Sequence, residues 1–171
     1  LRLPGALTVS IIPGNKYTRE IYELAMKNGL EIIIHLPMES KTPPKKEEKI
    51  LLKNNMKKRE IERIVNISLK ELPGARGLSN HMGSRATENA ILMKNLADIL
   101  KRKKLYFVDS FTSPKSKAYE VFKKSKARVL KRDVFIDNED NVSEEFVLAK
   151  LEELMQNLIR KNWLSQYYQS Q

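Results

Sequence analysis

The sequence contains no cysteine, and its only two histidines are His35 and His81. Without cysteine there can be no disulfides, thiolate metal sites or cysteine nucleophiles, so any bound metal must have nitrogen and oxygen ligands. Long hydrophobic runs are also missing, because no apolar stretch approaches the roughly 20 residues that a transmembrane helix needs. These absences direct attention to the two imidazoles and to the carboxylates.

The 171 residues are 41% apolar and 31% charged, with a formal net charge of +11. This composition is typical of a folded domain with a core. The positive charge could attract nucleic acid, anionic lipid or an acidic glycan. However, the lysines alternate with acids, as in "KKEEKILLKNNMKKREIER", and there is no aromatic-interleaved basic stripe, zinc-finger spacing or glycine-rich RNA-binding signature. We therefore interpret the charge as a solvated, lysine-rich surface and expect no nucleic-acid partner.

Short β-branched runs alternate with segments of helical spacing along the chain. The predicted strands are Thr8–Ile12, Leu30–His35, Ala75–Asn80, Leu105–Ser110 and a strand or strand pair at Ala127–Asp137. The predicted helices are Tyr17–Asn28, Lys57–Glu71, Asn89–Lys101 with Thr87 as its cap, Ser116–Lys124 and a last helix beginning at Ser143. This alternation predicts one α/β domain over residues 1–171, with a parallel sheet or barrel.

Polar residues with chemical potential cluster in or after the ends of the predicted strands. In chain order they are His35, Glu39, Asn80, His81, Ser84, Asp109, Ser110, Thr112, Arg132, Asp133 and Asp137. The carboxyl ends of parallel strands form one face, and sites in parallel α/β folds are built there. The sequence therefore predicts that these side chains converge.

Two imidazoles and a carboxylate can hold zinc or a similar divalent ion while leaving a position open for water. Such an ion lowers the pKa of the water to about 7 and polarises a carbonyl, while a second carboxylate can serve as general base. Simpler interpretations stay open for single residues. Each histidine could be structural, Asp109 could cap a turn, Glu39 could be a solvated loop residue, and Arg132 with Asp133 could form a buried ion pair.

Four motifs carry a family resemblance. In order they are "HLPME" at His35–Glu39, "GLSNHMGSRATE" at Gly77–Glu88, "FVDSFTSPKSKAYE" at Phe107–Glu120 and "RDVFIDN" at Arg132–Asn138. Together they resemble the divergent polysaccharide deacetylase family of bacteria over nearly the whole chain. The resemblance implies an irregular seven-stranded β/α barrel. It also implies a metal-dependent hydrolase, with zinc as the expected metal, that removes N- or O-acetyl groups from a cell-envelope polysaccharide outside the cytoplasm.

The resemblance also assigns roles to individual positions. His35 and His81 are the implied metal ligands. The implied catalytic residues are Glu39, Asp109, Arg132 and Asp133, and the implied substrate contacts are Asn80, Ser84, Ser110, Thr112 and Asp137.

Two segments of the family pattern have no counterpart here. The family opens with a strand ending in Asp-Asp, which supplies metal-binding and general-base carboxylates, and it closes with a Gly-His-Pro segment. This sequence begins with "LRLPGALTVSIIPG" and ends with "NWLSQYYQSQ". We therefore expect that the barrel lacks its first strand in this chain, and that the domain is truncated at both ends. The alternative function is a catalytically inactive glycan- or envelope-binding protein that keeps the deacetylase fold.

Overall fold

The structure, a computed structural model, describes residues 7–42, 48–136 and 143–160. The chain forms two compact units, Leu1–Lys131 and Arg132–Gln171. The expectation of one domain over residues 1–171 stays a prediction.

The first unit is an α/β fold with a five-stranded parallel sheet over its described residues, as the alternation predicted. Its elements are β1 (Thr8–Ile11), α1 (Thr18–Lys27), β2 (Glu31–Met38), α2 (Lys58–Glu71), β3 (Gly77–Met82), a 3₁₀ turn (Ala86–Glu88), α3 (Ala90–Arg102), β4 (Tyr106–Asp109), α4 (Ala118–Lys124) and β5 (Val129–Lys131). The strands lie side by side in chain order, and every neighbouring pair is parallel. The second unit contains α5 (Glu144–Arg160) in its described part, and the Ser143 hydroxyl accepts a hydrogen bond from the N–H of Phe146 at 3.2 Å.

One face of the sheet packs into the hydrophobic core. Ile34, Leu36, Leu78 and Phe107 are all fully buried there, in one cluster with residues of α2, α3 and α4. The Phe107 ring stacks on Phe122 of α4 with 4.7 Å between ring centroids. Each such side chain stabilises the fold by roughly 1.5–3 kcal/mol through burial alone. This packing anchors the strands and fixes which of their residues point away from the helices.

The opposite face carries the alternate residues, and the sheet curves towards it. Ser10 Oγ in β1 lies 2.8 Å from Ser79 Oγ in β3, although β2 runs between them. In a flat sheet β1 and β3 would lie about 9.6 Å apart, too far for two serine hydroxyls to meet. Similarly, the Tyr106 hydroxyl reaches across β3 to donate to Glu31 at 2.6 Å. A Cβ at Gly77 would lie 2.9 Å from the Tyr106 ring, so glycine makes this crossing possible. We call this the concave face; its curvature is consistent with a barrel-like fold.

Three boundaries differ from the sequence-based expectation. β2 continues to Met38 and β3 to Met82, so both histidines lie inside strands near their carboxyl ends. β5 has only three residues, and Asp137 lies outside the described part of the chain.

The assignment of Thr87 as the cap of α3 was wrong. A 3₁₀ turn intervenes, the Thr87 hydroxyl donates to the Gly83 carbonyl at 2.9 Å, and Asn89 caps α3 instead.

Candidate functional site

The two imidazoles meet on the concave face. β2 pairs with β3 so that His35 lies opposite Ser79 and Pro37 lies opposite His81. The alternation of a strand puts all four residues on one face. The rings of His35 and His81 contact each other edge to face, with 5.0 Å between centroids and 66° between planes. Pairing of adjacent strands therefore brings together two residues that are 46 positions apart in the sequence.

Two serines that sequence reasoning missed form a chain of hydrogen bonds with His35. Its Nδ1 lies 2.7 Å from Ser79 Oγ, and that oxygen lies 2.8 Å from Ser10 Oγ. Ser79 is buried, with 5% of its surface exposed, whereas Ser10 is exposed. A signal for Ser79 was available, because it precedes His81 by two residues and must share its face of the strand.

Burial, and secondly the charge of the neighbouring His81, lower the pKa of His35 to about 4. The ring is therefore neutral at pH 7, which is the form in which imidazole binds a metal or accepts a proton.

The lowered pKa makes folding depend on pH in a defined direction. The pKa of His35 falls from 6.5, its ordinary value, to about 4 on folding. Its contribution to stability is fully present above pH 6.5 and is lost as the pH falls towards 4. We expect the free energy of unfolding to drop by roughly 3 kcal/mol more in the wild type than in His35→Gln between pH 7 and pH 4. Urea denaturation at both pH values measures this, and equal losses in the two proteins would contradict it.

Glu48 brings a carboxylate to the histidine pair. Its Oε1 lies 3.9 Å from His81 Nε2, and 14% of its side chain is exposed. Sequence reasoning missed Glu48 because it lies in a lysine-rich loop with no strand or helix periodicity. The contact joins positions 33 residues apart, and only the tertiary structure shows it.

The structure does not bring Asp109 to the histidines. Asp109 shares its face of β4 with Phe107, on the helix side of the sheet, and is fully buried. One carboxylate oxygen accepts from the N–H of Phe111 at 2.9 Å and the other from the Ser116 hydroxyl at 2.8 Å. These contacts organise the turn that follows β4. A catalytic role for Asp109 stays a prediction.

The Glu39 carboxylate also contacts neighbouring residues of the chain. Its Oε2 accepts from the N–H of Asn54 at 2.7 Å, and its Oε1 lies 3.5 Å from Arg85 Nε. The Glu39 side chain therefore joins the loops that follow β2 and β3, and its catalytic role also stays a prediction.

The polar residues predicted to contact substrate form two groups of hydrogen bonds at the carboxyl ends of the strands. Asn80 is fully buried, accepts from the N–H of Ser110 at 2.8 Å, and donates to the Met82 carbonyl at 2.7 Å. The Thr112 hydroxyl donates to the same carbonyl at 2.8 Å. Separately, Ser84 Oγ accepts from the N–H of Lys41 at 3.0 Å. Substrate contacts by these residues stay predictions.

Arg132 and Asp133 belong to the second unit, in which the Arg132 guanidinium lies over the Phe135 ring at 4.3 Å. Asp137 is outside the described residues. Their predicted catalytic and substrate-binding roles stay predictions.

The donor set fits a divalent metal in part. A catalytic zinc usually has three protein ligands, and the histidine pair offers two nitrogens. In residues 7–42, 48–136 and 143–160, no three histidine or acidic side chains are grouped as a metal site. Glu48 is the carboxylate seen beside one of these imidazoles.

Comparison with known proteins identifies the family of this chain. The family model described as "Divergent polysaccharide deacetylase" matches residues 1–163. The chain belongs to this family. Two curated relatives are uncharacterized proteins: YibQ of Escherichia coli K12, 38% identical over 143 residues, and a protein of Haemophilus influenzae Rd, 34% identical over 142 residues.

These matches cover 82% and 83% of the chain but only 44% and 50% of the relatives, so the chain spans about half the length of the curated relatives it matches. A crystal structure of an uncharacterized Agrobacterium tumefaciens C58 protein is similar in fold to this chain, with a TM-score of 0.82 and 21% identity. That match covers 90% of this chain and 62% of the other. Within the described ranges, none of the helices is long and apolar enough to cross a membrane.

Proposed function

We propose that this protein removes N- or O-acetyl groups from a cell-envelope polysaccharide, outside the cytoplasm, with a divalent metal held by His35 and His81. Zinc is the metal we expect. The observation that carries the proposal is the pair of imidazoles, 5.0 Å apart between centroids, near the carboxyl ends of adjacent strands. Membership of the divergent polysaccharide deacetylase family supports a polysaccharide as the substrate class.

The chain's own residues supply defined parts of this chemistry. A bound metal would polarise the acetyl carbonyl and acidify water. Burial keeps His35 neutral and able to offer a nitrogen lone pair. Glu48, beside His81, is placed to accept a proton from a nearby donor. We propose that a further ligand comes from a carboxylate outside the described residues. The curvature of the sheet supports closure into the seven-stranded barrel by strands beyond the five described here.

The proposal is tested on the full-length protein. We expect zinc titration calorimetry to show one site per chain, and acetylated envelope glycan to release acetate in the presence of the protein. A chelator should abolish acetate release, and added zinc should restore it. The same glycan after chemical deacetylation is the control. Absence of zinc binding together with chelator-insensitive acetate release would overturn the metal-dependent mechanism.

The hydrogen bonding of two carboxylates favours a second function. The Asp109 and Glu39 side chains accept hydrogen bonds from the chain's own donors, and Asp109 lies on the helix side of the sheet. This arrangement suits a glycan- or envelope-binding protein that keeps the fold without catalysis. Saturable binding of the glycan by the full-length protein, with no acetate released at any metal concentration, would favour this function over hydrolysis.

A further inference from the structure

We propose that Ser79 is a positioning residue that holds the His35 ring by its Nδ1–H and so presents Nε2 to the metal. This inference rests on the proposed function, because it specifies how one of the two ligands is oriented. Neither the resemblance nor the motif spacing assigned any role to Ser79.

The first step is the contact itself. His35 and Ser79 are direct partners in the pairing of β2 with β3, and Nδ1 lies 2.7 Å from the hydroxyl oxygen. Metal-bound histidines commonly donate their second ring N–H to a neighbouring oxygen, which fixes both the tautomer and the ring orientation. With Nδ1 engaged by Ser79, Nε2 is the nitrogen left for a metal.

The second step is the direction of the hydrogen bond. A serine hydroxyl has one proton, so Ser79 can accept from His35 while donating that proton to another oxygen. Ser10 Oγ, 2.8 Å away, provides this acceptor. Proton donation then runs from His35 through the buried Ser79 to the exposed Ser10, where water can satisfy the last hydroxyl.

The third step concerns rotation of the ring. The His81 ring packs edge to face against the His35 ring. Only 5% of the Ser79 surface is exposed, so little water can compete for its hydroxyl. Turning the ring over would remove Nδ1–H from the Ser79 oxygen and lose this hydrogen bond, although the Ser79 hydroxyl would keep Ser10 as its acceptor. The contact therefore orients a ligand in addition to satisfying a buried hydroxyl.

The decisive measurement uses full-length protein labelled with ¹⁵N at histidine, free of metal, at pH 7.5. We expect the ring ¹⁵N shifts of wild-type His35 to report the tautomer with the proton on Nδ1. In Ser79→Ala we expect a mixture of the two tautomers and a zinc affinity about 10–100-fold weaker. Ser79→Thr, which keeps a hydroxyl in a strand-compatible side chain, should restore the wild-type tautomer.

A wild-type His35 with its proton on Nε2 would overturn the proposal, as would a Ser79→Ala protein with unchanged tautomer and zinc affinity. The wild-type spectrum decides the direction of the bond even if Ser79→Ala fails to fold. The tautomer is read without metal, so failure of zinc to bind would count against the proposed function and leave the test of Ser79 intact.

Discussion

Replacing His81 with alanine is expected to weaken zinc binding by more than about 100-fold in the full-length protein, because it removes one of two nitrogen ligands. Acetate release should fall to the level without enzyme. The same change should raise the pKa of His35, since the charge of His81 and the burial that its ring helps to provide both keep that pKa low. Calorimetry, acetate release and an NMR titration of His35 measure the three effects.

Lys94→Ala is the matched control for this variant, because Lys94 is an exposed residue of α3 that pairs with Asp98 at 2.6 Å. We expect wild-type zinc affinity and acetate release from it. For His81→Ala, the zinc affinity and the pKa of His35 test two separate claims. Unchanged zinc affinity would contradict ligation by His81, whereas an unchanged pKa of His35 would contradict the electrostatic contact between the rings.

Local sequence patterns predicted the order and type of the elements but not all of their ends. The apolar run at Leu30–His35 predicted a strand, yet β2 continues through Pro37 to Met38. β2 continues because β3 pairs with it from Ile33 to Met38, and because the N–H of Leu52 donates to the Pro37 carbonyl at 2.9 Å. A proline with no N–H looks like a strand end in sequence. Its carbonyl still accepts a hydrogen bond from a segment 15 residues away.

The candidate site was predictable to the extent that it follows strand alternation. We expected polar residues at the strand ends to converge, and His35 and His81 do lie in contact. The same alternation puts Asn80 and Asp109 two residues after the core residues Leu78 and Phe107, so their positions on the helix side could also have been predicted. The position of Glu48 could not have been predicted, because its contact with His81 is a tertiary contact that no strand or helix pattern encodes.

Asn80 holds the two turns that border the candidate site. Its side chain binds the N–H of Ser110 and the carbonyl of Met82, joining the turn after β3 to the turn after β4. Met82 and Phe111 both have left-handed backbone conformations, with φ of 52° and 49°. Such conformations cost residues other than glycine on the order of 1 kcal/mol or more and persist only where the surroundings hold them. The contacts of Asn80 hold the first of these turns directly.

Asn80→Ala is therefore expected to lower the free energy of unfolding by about 3 kcal/mol, because it removes two hydrogen bonds of a fully buried amide, one from the N–H of Ser110 and one to the Met82 carbonyl. Asn80→Asp keeps the acceptor for Ser110 but loses the donor to Met82, so it should also destabilise the protein. Asn66→Ala, at an exposed position of α2, is the control and should stay within about 0.5 kcal/mol of the wild type. Urea denaturation monitored by circular dichroism measures all three. If Asn80→Ala were as stable as Asn66→Ala, the hydrogen bonds of the Asn80 amide would not be what holds these two turns.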